Sequence, residues 1–346
     1  MDSIYDVLCC PFCWGEELDI TVDFIHCKKC SSEYQIVNNI PIMIPTNKSD
    51  DWVVEAIRNN EFRNEYFSKR IKGNDGWWIP SKDLYYRLGK EYNLRCGRWK
   101  VIDDIRRNFN DILLVDVGGG EGFVLNYLQA KYGDNNIVSI VYDISNILQQ
   151  DGQKRYNWKN LHFITGTNYR IALRNAVVDV VISTESIEHV IDTGLFLTNI
   201  NRMLKKRGRL YITTPNYIGL SYWFGAIGIQ YLRNIWRFVR GRKMAHIDKN
   251  RGYFFEEDDF ILEKILRFEE IKKSLQENGF DIVRVEFTQF LGEITFSWAR
   301  KLGIPIGVLK KIVRCDEFLE PIFNRIHLAK FFGFTQVIIA EKTGNL

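Results

Sequence analysis

Residues 112–128 read ILLVDVGGGEGFVLNYL, and the fold turns on them. Apolar residues lead to Asp116, glycines fill positions 118, 119, 120 and 122, and from Phe123 apolar residues recur at helical spacing. That is the order of a buried strand, a sharp turn and a helix. Glycine permits the backbone conformations such a turn needs and lets a ligand come close to the chain. The N–H groups of the helix's first turn point outward at the same place. A nucleotide-like cofactor fits this device, but dinucleotide-binding enzymes use a similar one, so the loop alone leaves the cofactor open.

From Ile112 onward short apolar runs alternate with helical patterns, which predicts a doubly wound α/β sheet with crossover helices. Seven strands are expected, at 112–116, 137–143, 162–165, 179–183, 209–214, 281–287 and 335–342, with helices after the first five. Asp143 closes the second strand in IVYDIS, where a carboxylate can accept hydrogen bonds from both hydroxyls of a ribose.

The N-terminal region reads differently. It holds five of the seven cysteines, among them Cys10-Pro11-Phe12-Cys13 and Cys27-Lys28-Lys29-Cys30, two CxxC knuckles with thirteen residues between them. This spacing lets four thiolates close tetrahedrally around one zinc ion, whereas Cys9 is out of register. Four cysteines leave no open coordination position, so the metal is expected to be structural. Disulfides and four unrelated buried thiols are the competing readings. The sequence Met1-Asp2-Ser3-Ile4-Tyr5-Asp6 has no basic-then-apolar leader, which predicts a cytoplasmic chain whose thiols stay reduced. The expected organisation is a zinc ribbon at 1–46, closed by Pro41 and Pro45, then a helical linker and cover at 47–110. The α/β domain fills 111–346, with insertions at about 217–268 and 291–332.

Composition bounds the rest. With 46% hydrophobic and 26% charged residues the chain is neither disordered nor fibrous. A net charge of +4 is too slight for a dedicated nucleic-acid binder. The longest apolar stretch, 217–229, falls short of the about 20 residues a bilayer span needs.

The block 112–216 resembles the class I S-adenosylmethionine (SAM)-dependent methyltransferases. The features that carry this are an acidic residue followed by GxGxG, Asp143 after the second strand, TESIEHV (184–190) after the fourth, and MLKKRGRLYITTPN (203–216). The resemblance implies a Rossmann-like fold in which Gly118, Gly120 and Gly122 shape the methionine pocket and Asp116 supports it. By the same token Asp143 takes the ribose and Glu185 lines the cofactor. Many relatives read the adenine amino group with an aspartate after the third strand. Here that turn is Gly166-Thr167-Asn168, so Thr167, Asn168 or a backbone carbonyl supplies the acceptor. LCCPFCWGEEL, the second knuckle and YQIVNNIPIMIP resemble the zinc-ribbon domain of small methyltransferase-activating partner proteins. That likeness implies a ribbon packed on its own catalytic domain; an independent docking module is the alternative.

Methyl transfer from a sulfonium is an in-line displacement, so alignment and exclusion of water do most of the work. An oxygen acceptor of high pKa gains from a general base, and His189 and Glu188 are the candidates, unless they merely line the cofactor. Asn216, at the end of the fifth strand, and His246, in KMAHIDKNRGYFF, are candidate acceptor-facing residues. In the insertion after the fifth strand, Tyr231, Ile235 and Phe238 recur at helical spacing, as do Arg233, Arg237 and Arg240. Such a helix either lies on lipid headgroups or packs on the core. EIKKSLQENGFDIVRVEF (270–287) resembles the closing segment of ubiquinone-pathway O-methyltransferases and cell-surface glycan methyltransferases. The expected function is O-methylation of a small-molecule, glycan or lipid-linked acceptor, compatible with peripheral contact to a membrane surface. One alternative is an rRNA or tRNA methyltransferase, against which stand the modest charge and the sequence Ser183-Thr184-Glu185-Ser186 where an Asn/Asp-Pro-Pro-aromatic tetrapeptide would be. The other is a non-catalytic SAM-binding partner protein.

Overall fold

The computed structural model describes residues 3–72, 88, 91–92, 94–133, 136–216, 219, 228–241, 266–291, 303–326 and 331–344. The strand–turn–helix read from residues 112–128 is present. Strand β5 (Leu113–Val117) runs into the glycine turn and helix α3 (Phe123–Tyr132). Alternate residues of β5 face opposite ways, Leu113, Val115 and Val117 into one core and Leu114 into the other. A sheet covered on both faces demands that pattern of a central strand.

All seven expected strands form. They are β5, β6 (Val138–Asp143), β7 (Leu161–Thr165), β8 (Val178–Thr184), β9 (Leu204–Pro215), β10 (Phe280–Thr288) and β11 (Thr335–Lys342). Their order across the sheet is β7-β6-β5-β8-β9-β11-β10, with β11 antiparallel to both neighbours and the others parallel. The sheet is larger than seven strands, however. Four N-terminal strands, β1 (Leu18–Ile20), β2 (Phe24–Cys27), β3 (Glu33–Val37) and β4 (Ile40–Ile42), extend it to eleven. The joint is a parallel pairing of Ile42 with Thr165, sealed by the Met43 N–H donating to the Thr165 carbonyl at 2.7 Å. The sequence marks neither end of that joint, because β4 is only three residues long and contains Pro41.

Helices α1 (Asp51–Lys72) and α2 (Arg98–Asn108) lie before β5, where the charged, aromatic-spaced segments predict them. Helix α4 (Asn146–Arg155) follows β6, α5 (Thr193–Met203) follows β8, and α6 (Gly228–Val239) follows β9. Helix α7 (Phe268–Glu277) precedes β10, and α8 (Ile306–Arg325) lies between β10 and β11. The expected helix after the third strand is absent: residues 166–177 carry no helix. They run as a loop beneath the N-terminal module, with Cys9 N–H donating to the Ala172 carbonyl and Arg174 N–H to that of Val7. Leu8 and Leu173 pair as an isolated antiparallel bridge. The module thus covers the face that a crossover helix would cover, and Leu8, Cys10, Ile25 and Tyr34 share one core with Ile171, Phe196 and Leu275.

Among the described residues no helix is long and apolar enough to cross a membrane. His246 and most of the tract 217–268 lie outside the described residues, as does part of 291–332. The predicted helix in the first insertion is α6. Tyr231, Ile235, Trp236, Phe238 and Val239 are exposed on it, so this apolar face is not buried in the core.

Candidate active site

The carboxyl ends of β5, β6, β7, β8 and β9 meet at one edge of the sheet. The turn after β5 is built by its glycines. Gly118, Gly120 and Gly122 have φ of 79°, 56° and 81°, the left-handed region where a side chain is strained. At Gly118 steric room is decisive as well, since a Cβ would lie 2.1 Å from Ser186 Oγ in the turn after β8. Gly118 N–H donates to the Tyr142 carbonyl at 2.8 Å, which ties the turn to β6. Gly122 caps α3, so the first free N–H groups of that helix open at the turn.

Two carboxylates flank the turn. Asp143 accepts from Gly120 N–H at 3.0 Å and Ser145 N–H at 2.9 Å, one bond per oxygen. Each oxygen keeps a lone pair for another donor. Asp116 is fully buried, and neither of its oxygens has a hydrogen-bond partner among the described residues. Burial pushes its pKa up to about 7, against the pull of the nearby Arg98 guanidinium. In the turn after β7, Gly166 N–H donates to the Asp143 carbonyl at 2.9 Å, placing Thr167 and Asn168 beside the carboxylate that ends β6. Asn168 Oδ1 is buried and accepts nothing among the described residues.

The exit of β8 supplies the remaining polar groups. Glu185 sits at φ 51° and accepts from Thr213 Oγ1 at 2.9 Å, while the buried Glu188 accepts from Thr214 Oγ1 at 2.9 Å. Burial raises the Glu185 pKa, opposed by Arg98 and by that hydroxyl. His189 is half-buried one residue on, in the short turn Ile187–His189. Asn216 is buried at the end of β9, its Nδ2 donating to the Gly333 carbonyl at 2.9 Å. This role is structural in the first instance.

The sequence pattern misses two cations. Arg98, at the start of α2, lies within electrostatic reach of Glu185, Asp116 and Glu188 together. Arg63 on α1 faces Asp143 in the same way. Helix α1 also holds the loop after β6: Asn60 Nδ2 donates to the Ile144 carbonyl at 2.6 Å, and Asn64 Oδ1 accepts from Ser145 Oγ at 3.0 Å. Nothing in CGRWK or EFRNEY separates these residues from ordinary helix-surface polar groups; only the fold brings them to the carboxylates.

At the other end of the module the sulfur atoms of Cys10, Cys13, Cys27 and Cys30 lie within 4.8 Å of one another. Two pairs are 3.6 Å and 3.5 Å apart, close to the ~3.8 Å edge of a tetrahedron with zinc–sulfur bonds of ~2.3 Å. The knuckles have the same backbone plan. Cys10 N–H donates to Gly15 O and Trp14 N–H to Cys10 O; Cys27 N–H donates to Ser32 O and Ser31 N–H to Cys27 O. Trp14 and Ser31 both take positive φ, at 58° and 56°. Tyr34 OH lies 2.9 Å from Cys10 Sγ and Ser32 Oγ 3.1 Å from Cys30 Sγ, positions from which hydroxyls orient ligating sulfurs. The donor set fits a four-coordinate metal.

Known proteins resemble the chain around the glycine turn. Residues 115–212 match the family described as Methyltransferase domain. A ubiquinone biosynthesis O-methyltransferase from Bartonella tribocorum is 26% identical over 165 residues, 45% of this chain and 65% of the relative. One of the same description from Rhizobium rhizogenes is 25% identical over 276 residues, 78% of this chain and 91% of the relative. The chain spans 65%, 56% and 54% of the length of three such relatives. Among solved structures, a SAM-dependent methyltransferase from Aquifex aeolicus superposes with a TM-score of 0.43 at 13% identity, covering 76% of this chain and 100% of that one. The family match over residues 115–212 covers the glycine turn and the strands β6, β7 and β8, so it is this part of the chain that is similar to a methyltransferase domain.

Proposed function

We propose that the chain is a SAM-dependent methyltransferase acting on an oxygen of a small-molecule, glycan or lipid-linked acceptor. The observation that carries this is the cofactor cradle: three left-handed glycines after β5, with Asp143 fixed by two backbone N–H groups beside them. SAM bound there supplies an electrophilic methyl group. In this reading Gly118, Gly120 and Gly122 admit the methionine portion, and Asp143 accepts from the ribose hydroxyls. The buried, unbonded Asn168 Oδ1, with Thr167, meets the adenine amino group. Asp116 and Glu185 line the methionine end, where SAM carries an ammonium, and Arg98 among them is suited to its carboxylate.

Glu188 and His189 stand at the exit of β8, on the acceptor side, as proton-accepting or acceptor-orienting groups. Glu188 accepts from Thr214 Oγ1, which fixes its carboxylate at the exit of β8. Replacing a true general base lowers the methyl-transfer rate by about a hundredfold or more. The test is His189→Ala and Glu188→Gln, each assayed for SAM affinity and turnover; a variant that keeps both removes its residue from the base role. Residues 1–46 are read as a zinc ribbon on the four cysteines, 47–110 as a cover and 111–346 as the catalytic domain. The relatives' description and the exposed Tyr231, Trp236 and Phe238 of α6 support an amphipathic acceptor met near a membrane surface. Labelled SAM incubated with separated lipid, glycan and RNA fractions tests the acceptor class: label in lipid or glycan supports this reading, and label in RNA alone overturns it.

A further inference from the structure

Residues 166–177 have no helix of their own, so something else must fix the turn that carries Thr167 and Asn168. Arg170 is placed to do so. Its Nη1 donates to the Pro11 carbonyl at 2.9 Å and to the Phe12 carbonyl at 3.1 Å, both inside the first cysteine knuckle. Its guanidinium carbon lies 4.9 Å from the Trp52 ring centre and 5.8 Å from that of Trp14, within cation–π range of both. Phe12 in turn packs 6.1 Å from Trp52, the second residue of α1. On its backbone side, Arg170 N–H donates to the Thr167 carbonyl at 3.3 Å and closes the turn. One side chain therefore spans the knuckle and the turn. Arg174 also binds the module, through the carbonyls of Leu8 at 3.0 Å and Glu16 at 2.9 Å, but it touches neither the knuckle interior nor the turn.

We infer that Arg170 is a positioning residue for the adenosine half of the cofactor: it transmits the folded state of the cysteine knuckle to the turn at Thr167–Asn168. This rests on the reading that those two residues face adenine. Such a coupling is a free energy shared between two sites, and it disappears when the connecting side chain is cut.

The experiment titrates S-adenosylhomocysteine and 5′-methylthioadenosine, which share the adenosine group, into the full chain and its R170A, R170K and R174A variants. Bound zinc and Tm are measured on each. R170A is expected to bind both ligands about fivefold or more weakly, by the same factor, while keeping its zinc. R170K is expected to fall between wild type and R170A, because an ammonium lacks the guanidinium's rigid fork. R174A is expected to lower Tm without changing either affinity. Unchanged affinities in R170A overturn the proposal, and so does a loss confined to S-adenosylhomocysteine, which would place the effect at the methionine end. Equal losses in R170A and R174A also overturn it, since they would mark general loosening of the module. Should R170A not fold, R170K with wild-type affinities does the same. A wild-type chain that binds neither ligand sinks the adenine reading itself, and the role of Arg170 with it.

Discussion

The turns after β5 and after β7 lie at the same sheet edge, one on either side of β6, yet they are built on opposite plans. The first makes its own shape: Gly118, Gly120 and Gly122 adopt backbone angles open mainly to glycine, and α3 begins where the turn ends. The second borrows its shape. Residues 166–177 are pinned by Arg170 to Pro11 and Phe12, by Cys9 and Val7 to their own backbone, and by Asn199 Nδ2 to the Tyr169 carbonyl at 2.8 Å. A turn of the first kind depends on its local residues. A turn of the second kind depends on a module more than a hundred residues away in sequence.

The largest effect should come from cutting the borrowed support at its root. Cys27→Ser removes one of four sulfurs and is expected to release zinc and cost about 5 kcal/mol of stability, as loss of a structural metal does. Denaturant unfolding measures the loss. Amide hydrogen exchange should show residues 166–174 opening while 118–122 stay protected; equal opening of both would erase the contrast.

Asp116→Asn probes the first turn's own electrostatics. With its pKa raised by burial to about 7, the folded protein keeps a proton that the unfolded chain has lost above about pH 4. Stability in the wild type therefore falls as pH climbs from about 4 to about 7, and the asparagine variant lacks that slope. The variant should match wild type near pH 4 and exceed it by up to about 4 kcal/mol above pH 7, in the absence of cofactor. Thermal unfolding across that range decides it, and parallel curves would refute the shift.

Gly118→Ala combines left-handed strain with a clash against Ser186 and should weaken SAM binding by about 3 kcal/mol, roughly a hundredfold, with zinc retained. Loss of zinc in this variant would mean that the first turn also leans on the module. The smallest change is Asn168→Ala, which removes one acceptor and should cost about 1 kcal/mol of cofactor affinity. No change there would move adenine recognition to Thr167 or to a backbone carbonyl.

The contrast between the turns is also the contrast between what the sequence discloses and what it conceals. Strand β5 and its glycines are legible because the information is local: apolar residues, then glycine, then helical spacing. The CxxC pairs are legible for the same reason, since ligand spacing is a short-range property. The extension to eleven strands is not, because it depends on a pairing of Ile42 with Thr165 in which neither residue is unusual. The missing third crossover helix is concealed likewise, since NYRIAL could as easily have been helical, and only the covering module makes that helix unnecessary. Arg98 and Arg63 belong to this second group. Each is one arginine among many until tertiary structure sets it against Asp116 or Asp143.

On the proposed reading, the glycine turn and Asp143 together hold the adenosyl sulfonium. The most direct test of that reading is calorimetric titration of S-adenosylhomocysteine, with NAD as the competing ligand, into the full chain. Saturable binding of one equivalent of S-adenosylhomocysteine is expected, abolished or much weakened by Gly118→Ala, with no heat from NAD. Binding of NAD at that turn, or no association with S-adenosylhomocysteine at all, would contradict it.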